Sequence, residues 1–378
     1  MSAWNFRSLA ARSIPAAVVV AGFFAVVLVF VAVLSIQQGF AITMRNADSP
    51  DVAYVFGNYS ALTDTELTVI GQAPDIQRGP LGPRVAGIFG ADAQIRMPAK
   101  KMVGSVIMRG VPTDIAQIWP RFHLIAGRMF KPGVDEIIVG RQAERLFPGL
   151  KIGDTFDWNH HPWKVVGTFA MGGGIRESEI WADVSQLQEA YNSAGRYRLA
   201  MVRLTSPAVF PAFKQWVEHN PQLNVSTERA DHIWQQQAGR LDRPLVLIGG
   251  VVTLLMTIGA IFGAINVMYA NVAERLRYIA TLRALGFVRV SVLGAILLEG
   301  MALALLGGVS AGLVAYLVFN GYQASTSTNG AMMGFSFAVT PDLLLAALVL
   351  ALSMGFIGGL FPAIRAARIP VAKALRDA

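Results

Sequence analysis

The chain has 378 residues, 54% hydrophobic and only 15% charged, with a formal net charge of +8 and no cysteine. Soluble domains carry roughly 25% charged residues, so this composition points to membrane segments, and the lack of cysteine excludes a disulfide framework and thiol chemistry. The basic excess sits in short clusters without a recognisable reading motif, which argues against nucleic-acid binding.

Four long stretches almost free of charge divide the chain, centred on Ile14–Leu34, Pro244–Ala270, Ser291–Phe319 and Leu343–Phe361. Each reaches the ~20 apolar residues with which a helix crosses the hydrocarbon core. The first is longer than a usual signal-peptide core and lacks a small-x-small site with a polar flank, so it reads as an uncleaved signal anchor. From Ile42 to Arg240 the pattern predicts a mixed α/β domain. It opens on a strand at Asp51–Gly57, a helix at Asp64–Ile70 capped by Thr63, and β-type runs in Val85–Met97. Short strands follow: SVIMRGV, DEIIVG, GDTFDW and WKVVGTF, separated by turn signals such as Lys131-Pro-Gly and Asn159-His-His-Pro. After a glycine loop at Gly172–Gly174, expected to be flexible, come SEIWADV and a helix at Val184–Asn192. A strand at Leu199–Leu204, a helix at Ala208–His219, a strand at Leu223–Thr227 and a helix at Ala230–Asp242 lead to the second span. This order implies two subdomains: a split βαβ lobe made from both flanks, and a β-rich insert at about Met102–Ile180.

The fold class is therefore an α-helical membrane protein with four transmembrane helices and an α/β extracytoplasmic domain of two subdomains. The expected divisions are residues 1–40 for the N-terminal segment and first helix, 41–240 for the extracytoplasmic domain, and 241–378 for the remaining three helices. The N-terminal tail, the Asn271–Val290 loop and the C-terminal tail hold ten cations against Glu274 and Asp377, an excess equal to the charge of the whole chain. By the positive-inside rule both termini and that loop are cytoplasmic, and the large domain and the Asn320–Thr340 loop face the other side.

Several candidate sites follow. Asn271–Gly286 (NVAERLRYIATLRALG) places Val272, Leu276, Ile279 and Leu282 on one apolar stripe, with Arg275, Arg277 and Arg283 in other directions and Gly286 as a helix stop. Such a helix rests on lipid or docks into a partner protein, and the pattern alone leaves both open. The second, third and fourth spans each carry a small-xxx-small pair, Gly259/Gly263, Gly308/Gly312 and Gly355/Gly359, of the kind that lets helices approach closely in lipid. Glu299 lies about ten residues past Arg289, roughly 15 Å into the bilayer at 1.5 Å per residue. An ionisable group there is costly; it either braces the bundle, against a backbone carbonyl or Thr253, Thr257 or Ser353, or takes part in conformational change. His160 and His161 stand in a hairpin turn without carboxylates at ligand spacing, so no metal site is expected. No Ser/His/Asp set supports catalysis.

At the Asn271–Gly286 loop the sequence resembles the FtsX/MacB family of ABC-transporter permeases. The resemblance rests on Glu274-Arg275, Ile279 and Arg283-Ala-Leu-Gly286, then Glu299 in LLEGMAL, Leu306-Gly-Gly308, and the closing Phe361-Pro-Ala-Ile-Arg-Ala-Ala-Arg with Pro370 and Ala374-Leu-Arg376. Trp4–Arg12 is similar to the family's N-terminal amphipathic segment. RGVPTDI, IAGRMF, DEIIVG, GDTF, VVGTF and ESEIW follow the order of MacB-type periplasmic domains. Tyr278 departs from the pattern, where the family usually has Glu. The resemblance implies a cell-inner-membrane permease that dimerises with a second copy or a related permease, in contact with membrane lipids. The chain shows no G-x-x-x-x-G-K-[ST] loop, so ATP and Mg are expected on a separate cytoplasmic ABC ATPase subunit that docks on the Asn271–Gly286 helix, with no cofactor or catalytic residue here. The function expected is MacB-type export, for which a periplasmic membrane-fusion protein and an outer-membrane channel would be further partners. The alternative is an FtsX-like signal transducer that activates an external enzyme.

Overall fold

The computed structural model describes residues 13–80, 82–97, 102–274, 276–285, 288–328 and 331–368. Its apolar stretches are helices because a backbone without water must satisfy its own hydrogen bonds. Four are long and apolar enough to cross a membrane among the described residues: Ala16–Arg45, Leu247–Glu274, Arg289–Phe319 and Pro341–Arg368. They belong to helices α1 (Ser13–Arg45), α6 (Ala230–Glu274), α8 (Arg289–Phe319) and α9 (Pro341–Arg368).

The chain forms two compact units. The first holds the residues up to Gly39, Asp242–Tyr322, and those from Phe337 onward. Its core joins Phe23, Val27 and Val31 to Ala264, Met268, Leu303, Ala311, Ala351 and Met354. Large apolar side chains such as Leu254, Phe262, Leu313 and Leu345 remain exposed, as a lipid-facing surface requires.

The second unit comprises Phe40–Leu241 and Gln323–Ser336. Its strands are β1 (Val52–Gly57), β2 (Val85–Met97), β3 (Met102–Val111), β4 (His123–Gly127), β5 (Glu136–Gly140), β6 (Thr155–Trp158), β7 (His161–Ala170), β8 (Ile180–Asp183), β9 (Leu199–Arg203) and β10 (Val225–Arg229). They form one sheet in the order β10-β1-β9-β2-β3-β8-β5-β7-β4, with β6 on β7. The β10-β1-β9-β2 part, with helices α2 (Asp64–Ile70) and α5 (Phe210–Glu218), is the split βαβ lobe. Its core gathers Val55, Leu62, Ile70, Val202, Phe213 and Val217. The remaining strands, with α3 (Arg141–Leu146) and α4 (Val184–Ala190), make the β-rich insert around Val106, Ile137, Trp163 and Ile180. The long strands β2 and β3 pair from Phe89↔Gly110 to Met97↔Met102 and carry the sheet from lobe to insert. Thr63 caps α2 in a capping box: its hydroxyl accepts the Glu66 N–H and its own N–H donates to Glu66 Oε2 at 2.8 Å.

The structure changes three expectations. The third-to-fourth-span connection, read as a loop within 241–378, contains a hairpin, β11 (Gln323–Thr328) and β12 (Ala331–Ser336), that belongs to the globular unit. Gly334 donates its N–H to Ser178 Oγ at 2.9 Å, and a Cβ at Gly334 would lie 2.4 Å from Gln142 Oε1, so a larger residue would have to displace the Gln142 side chain. Helix α3 stands where only strands were expected. The glycine loop is not an open linker. Gly172 and Gly173 adopt positive φ, 63° and 74°, and the loop folds round the buried Glu177 carboxylate, which accepts the N–H groups of Met171 and Gly173, each at 2.8 Å.

Candidate functional site

The loop expected to bind a partner is built from the end of α6 and the short helix α7 (Leu276–Ala284). Arg275 and Gly286 lie outside the described residues. Val272 and Ile279 are buried, packing with Val292 and Ile296 of α8 and Ala363 and Ala366 of α9. The buried Ile279 anchors α7 to its own bundle, and Val272 packs the end of α6 into the same cluster. Leu282 and Arg283 are half-buried, Glu274 is exposed at the end of α6, and Leu276 begins α7. Among the described residues, Leu285 and Val288 are large apolar side chains left open after α7, at 74% and 64% exposure, and Val290 in the first turn of α8 is 75% exposed. Sequence reasoning missed them because they fall beyond the helical stripe, although the apolar residues Leu285, Phe287, Val288 and Val290 after Arg283 were a usable signal. Nearby, the Arg365 guanidinium stands 5.5 Å from the Tyr269 ring centre, a cation–π contact between α9 and α6.

The glycine pairs divide. Added Cβ atoms at Gly308 and Gly355 would lie 2.7 Å from Ala351 Cβ and 2.5 Å from Ala304 Cβ, so both mark direct α8–α9 packing. Gly312 and Gly359 face Leu344 and Leu297 across the same seam at ordinary contact distance, 3.4 and 3.5 Å. Gly259 and Gly263 have nothing within 4 Å and do not join helices within this chain. Gly300, not singled out from sequence, sits in the seam: its Cβ would meet Gly355 O at 3.0 Å. Glu299 is half-buried on α8. Of its suggested partners, Ser353 donates its hydroxyl to Leu350 O at 2.7 Å, and the buried Thr257 hydroxyl makes no hydrogen bond. His161 Nδ1 lies 3.0 Å from Asp135 Oδ2, and His160 takes φ 67° in the hairpin turn.

A buried ionic centre in the globular unit was not anticipated. Arg176 and Glu177 are 0% exposed, Glu179 3% and Asp48 6%. Arg176 Nη2 donates to Asp48 Oδ2 at 2.6 Å and to the Tyr54 hydroxyl, and its Nε donates to Ala47 O at 3.2 Å. Trp119 donates its indole N–H to the other Asp48 oxygen at 2.7 Å. The Trp234 indole N–H reaches the Tyr54 oxygen at 3.3 Å and Asp48 Oδ2 at 3.4 Å. The guanidinium carbon lies 4.3 Å from the Trp119 ring centre, a cation–π contact strengthened by the absence of water. Burial drives the Tyr54 phenol above its usual range; Asp48 adds to this and Arg176 opposes it, so the hydroxyl keeps its proton. Glu179 receives a bidentate grip from Arg109, at 2.6 and 2.7 Å, and the Trp181 N–H at 2.8 Å. Glu177 is met by Arg141 at 3.2 Å.

Comparison with known proteins places both parts of this architecture. Residues 16–220 match the model of the MacB-like periplasmic core domain, and residues 250–371 match the FtsX-like permease C-terminal model. The chain belongs to the MacB-like family of ABC transporter permeases. Among relatives of this MacB-like permease, the macrolide export ATP-binding/permease protein MacB of Pectobacterium atrosepticum is 24% identical over 72% of this chain and 45% of its own length. The uncharacterized ABC transporter permease YknZ of Bacillus subtilis is 29% identical over 64% of this chain and 61% of its own length. The uncharacterized permease MJ1507 of Methanocaldococcus jannaschii is 22% identical over 62% and 60%. The chain thus spans about half the length of the curated relatives it matches. The crystal structure of the periplasmic region of MacB from Actinobacillus actinomycetemcomitans is similar over 51% of this chain and 94% of that one, at 11% identity and a TM-score of 0.38.

Proposed function

We propose that this MacB-like permease is the membrane subunit of an ATP-driven exporter. A separate cytoplasmic ABC ATPase, which binds the ATP and Mg, docks on α7 and the turn that follows it. The permease sits in the inner membrane with both termini and α7 on the cytoplasmic side, pairs with a second copy or a related permease, and passes the ATPase cycle to its globular unit. The observation that carries this reading is the division of labour around α7. Ile279 fixes α7, and Val272 the end of α6, to α8 and α9, while Leu285 and Val288 stand exposed just after α7 in a basic segment. A helix anchored to the bundle and followed directly by exposed apolar side chains transmits force from a docked partner to the bundle.

Full burial of a large apolar side chain is worth ~1.5–3 kcal/mol, and each ~1.4 kcal/mol is tenfold in affinity. Replacing Leu285 and Val288 together by Asp is expected to weaken ATPase binding by about 100-fold or more and to leave insertion intact. The measurement is pull-down of the ATPase by the detergent-solubilised double variant. Retention at the wild-type level would reject this surface as the dock and support a helix that only rests on lipid.

A further inference from the structure

The segment Met171–Glu179 occupies an unusual position within the globular unit. Asn46, directly after the first candidate span, donates its side-chain amide to Gly172 O at 3.2 Å, and a Cβ at Gly174 would lie 2.5 Å from Asn46 O. Arg176 holds Ala47 and Asp48, the next residues of the same segment. Trp234, on the helix that becomes the second span, closes over Asp48 and Tyr54. Ser178 receives Gly334 of the hairpin that links the third span to the fourth. Outward contacts leave from the same nine residues, Glu177 to Arg141 on α3 and Glu179 to Arg109 on β3.

We propose that Met171–Glu179 is a coupling hub that ties together the segments leading to all four membrane helices, with Arg176 and Asp48 as its positioning pair. Within the functional reading above, on which its biological role rests, a shift in any one of these segments is passed to the other two and, through Arg109 and Arg141, to β3 and α3 elsewhere in the β-rich insert. The chemistry suits the task. Arg176 and Asp48 have almost no access to water, so neither can leave the other without exposing an unpaired buried charge. Such a group moves as a unit or not at all, whereas surface ion pairs yield one by one.

Spatial convergence is not yet energetic coupling, and the test measures the coupling in the permease alone. Trp234→Phe removes one indole N–H and little volume. In the full chain in lipid nanodiscs, without an ATPase, hydrogen exchange is expected to quicken about two- to tenfold, the worth of one buried hydrogen bond. It should do so not only near Trp234 but also at Met332–Ser336 and at Met44–Asp48. Ser178→Ala, read from the opposite end, should quicken exchange at Met44–Asp48 and beside Trp234, and it decides the question if the first variant does not fold. Helix α5, with its own core, should keep its wild-type rate. Acceleration confined to the neighbourhood of each substitution would overturn the hub, and so would uniform acceleration that includes α5. Because no ATPase is present, failure of α7 to bind one would reject the exporter reading while leaving this result standing.

Discussion

Arg176 and Asp48 are held where an isolated charge would not survive, and what keeps them there is the number of partners that meet them. Two indole N–H groups, a phenol and a backbone carbonyl meet the pair, offsetting much of its desolvation, while Arg176 Nη1 makes no hydrogen bond and faces Glu179 Oε1 at 3.7 Å. Glu179 is the member of the group with the clearest acid response. Burial pushes its carboxyl up, but Arg109, Arg176 and the Trp181 N–H outweigh this and hold it below the usual carboxylate range. A carboxyl with a folded pKa below its unfolded value of about 4.3 stabilises the fold above that value. The contribution is lost as pH falls from there through the lower folded value. The thermal midpoint of the full chain in detergent, followed by tryptophan fluorescence, should therefore drop steeply below about pH 4. In Glu179→Gln it should start lower at neutral pH and change less on acidification. Parallel acid profiles in the two proteins would exclude Glu179 as a source of the dependence. This centre was not legible in the sequence: Arg176 is 128 residues from Asp48, and Trp234 is 186 from it, so no local spacing announced it.

Elements were far more legible than side-chain clusters. Helix α2 occupies Asp64–Ile70 as the Thr63 cap implied, and the four spans follow from apolar length alone. Hairpin β11–β12 escaped because QASTST has no apolar alternation, and an isolated two-stranded hairpin is marginal in water. It is held by Ser178, which accepts the Gly334 N–H from a distant part of the chain. Of the expected coupling stripe, Val272 lies on α6 and Ile279 on α7, both buried in the chain's own bundle, a burial that was not legible because periodicity gives a face without saying what covers it. The same gap separates the glycine pairs, which look alike in sequence. In Gly355→Val the new Cβ would start 2.5 Å from Ala304 Cβ and 2.9 Å from Gly300 O, and overpacking of this kind costs about 1–3 kcal/mol. The variant should lower the thermal midpoint of the detergent-solubilised protein. Gly259→Val, with open space around it, should leave that midpoint unchanged while the protein is monomeric. Equal losses in the two variants would mean that the α8–α9 seam is not what distinguishes them.

For the whole molecule, the distribution of charge decides more than its total. The ten cations of the two tails and the Asn271–Val290 loop supply a local excess equal to the net charge of the protein, while residues between Ile36 and Arg243 nearly balance. Juxtamembrane Lys and Arg resist translocation, and a large folded domain crosses largely regardless of its own charge. The globular unit and α7 should therefore lie on opposite sides of the membrane. The absence of cysteine makes this directly measurable, because any thiol introduced is unique. Tyr59, 91% exposed, reports the globular unit, and Leu285, 74% exposed, reports the end of α7. With Tyr59→Cys, a membrane-impermeant maleimide should label intact spheroplasts to completion. With Leu285→Cys, labelling should appear only after the membrane is opened. The reverse pattern would invert the topology and place the proposed ATPase dock out of reach of cytoplasmic ATP. Labelling of both positions in intact spheroplasts would put the two on the same side and remove the case for α7 as a coupling element.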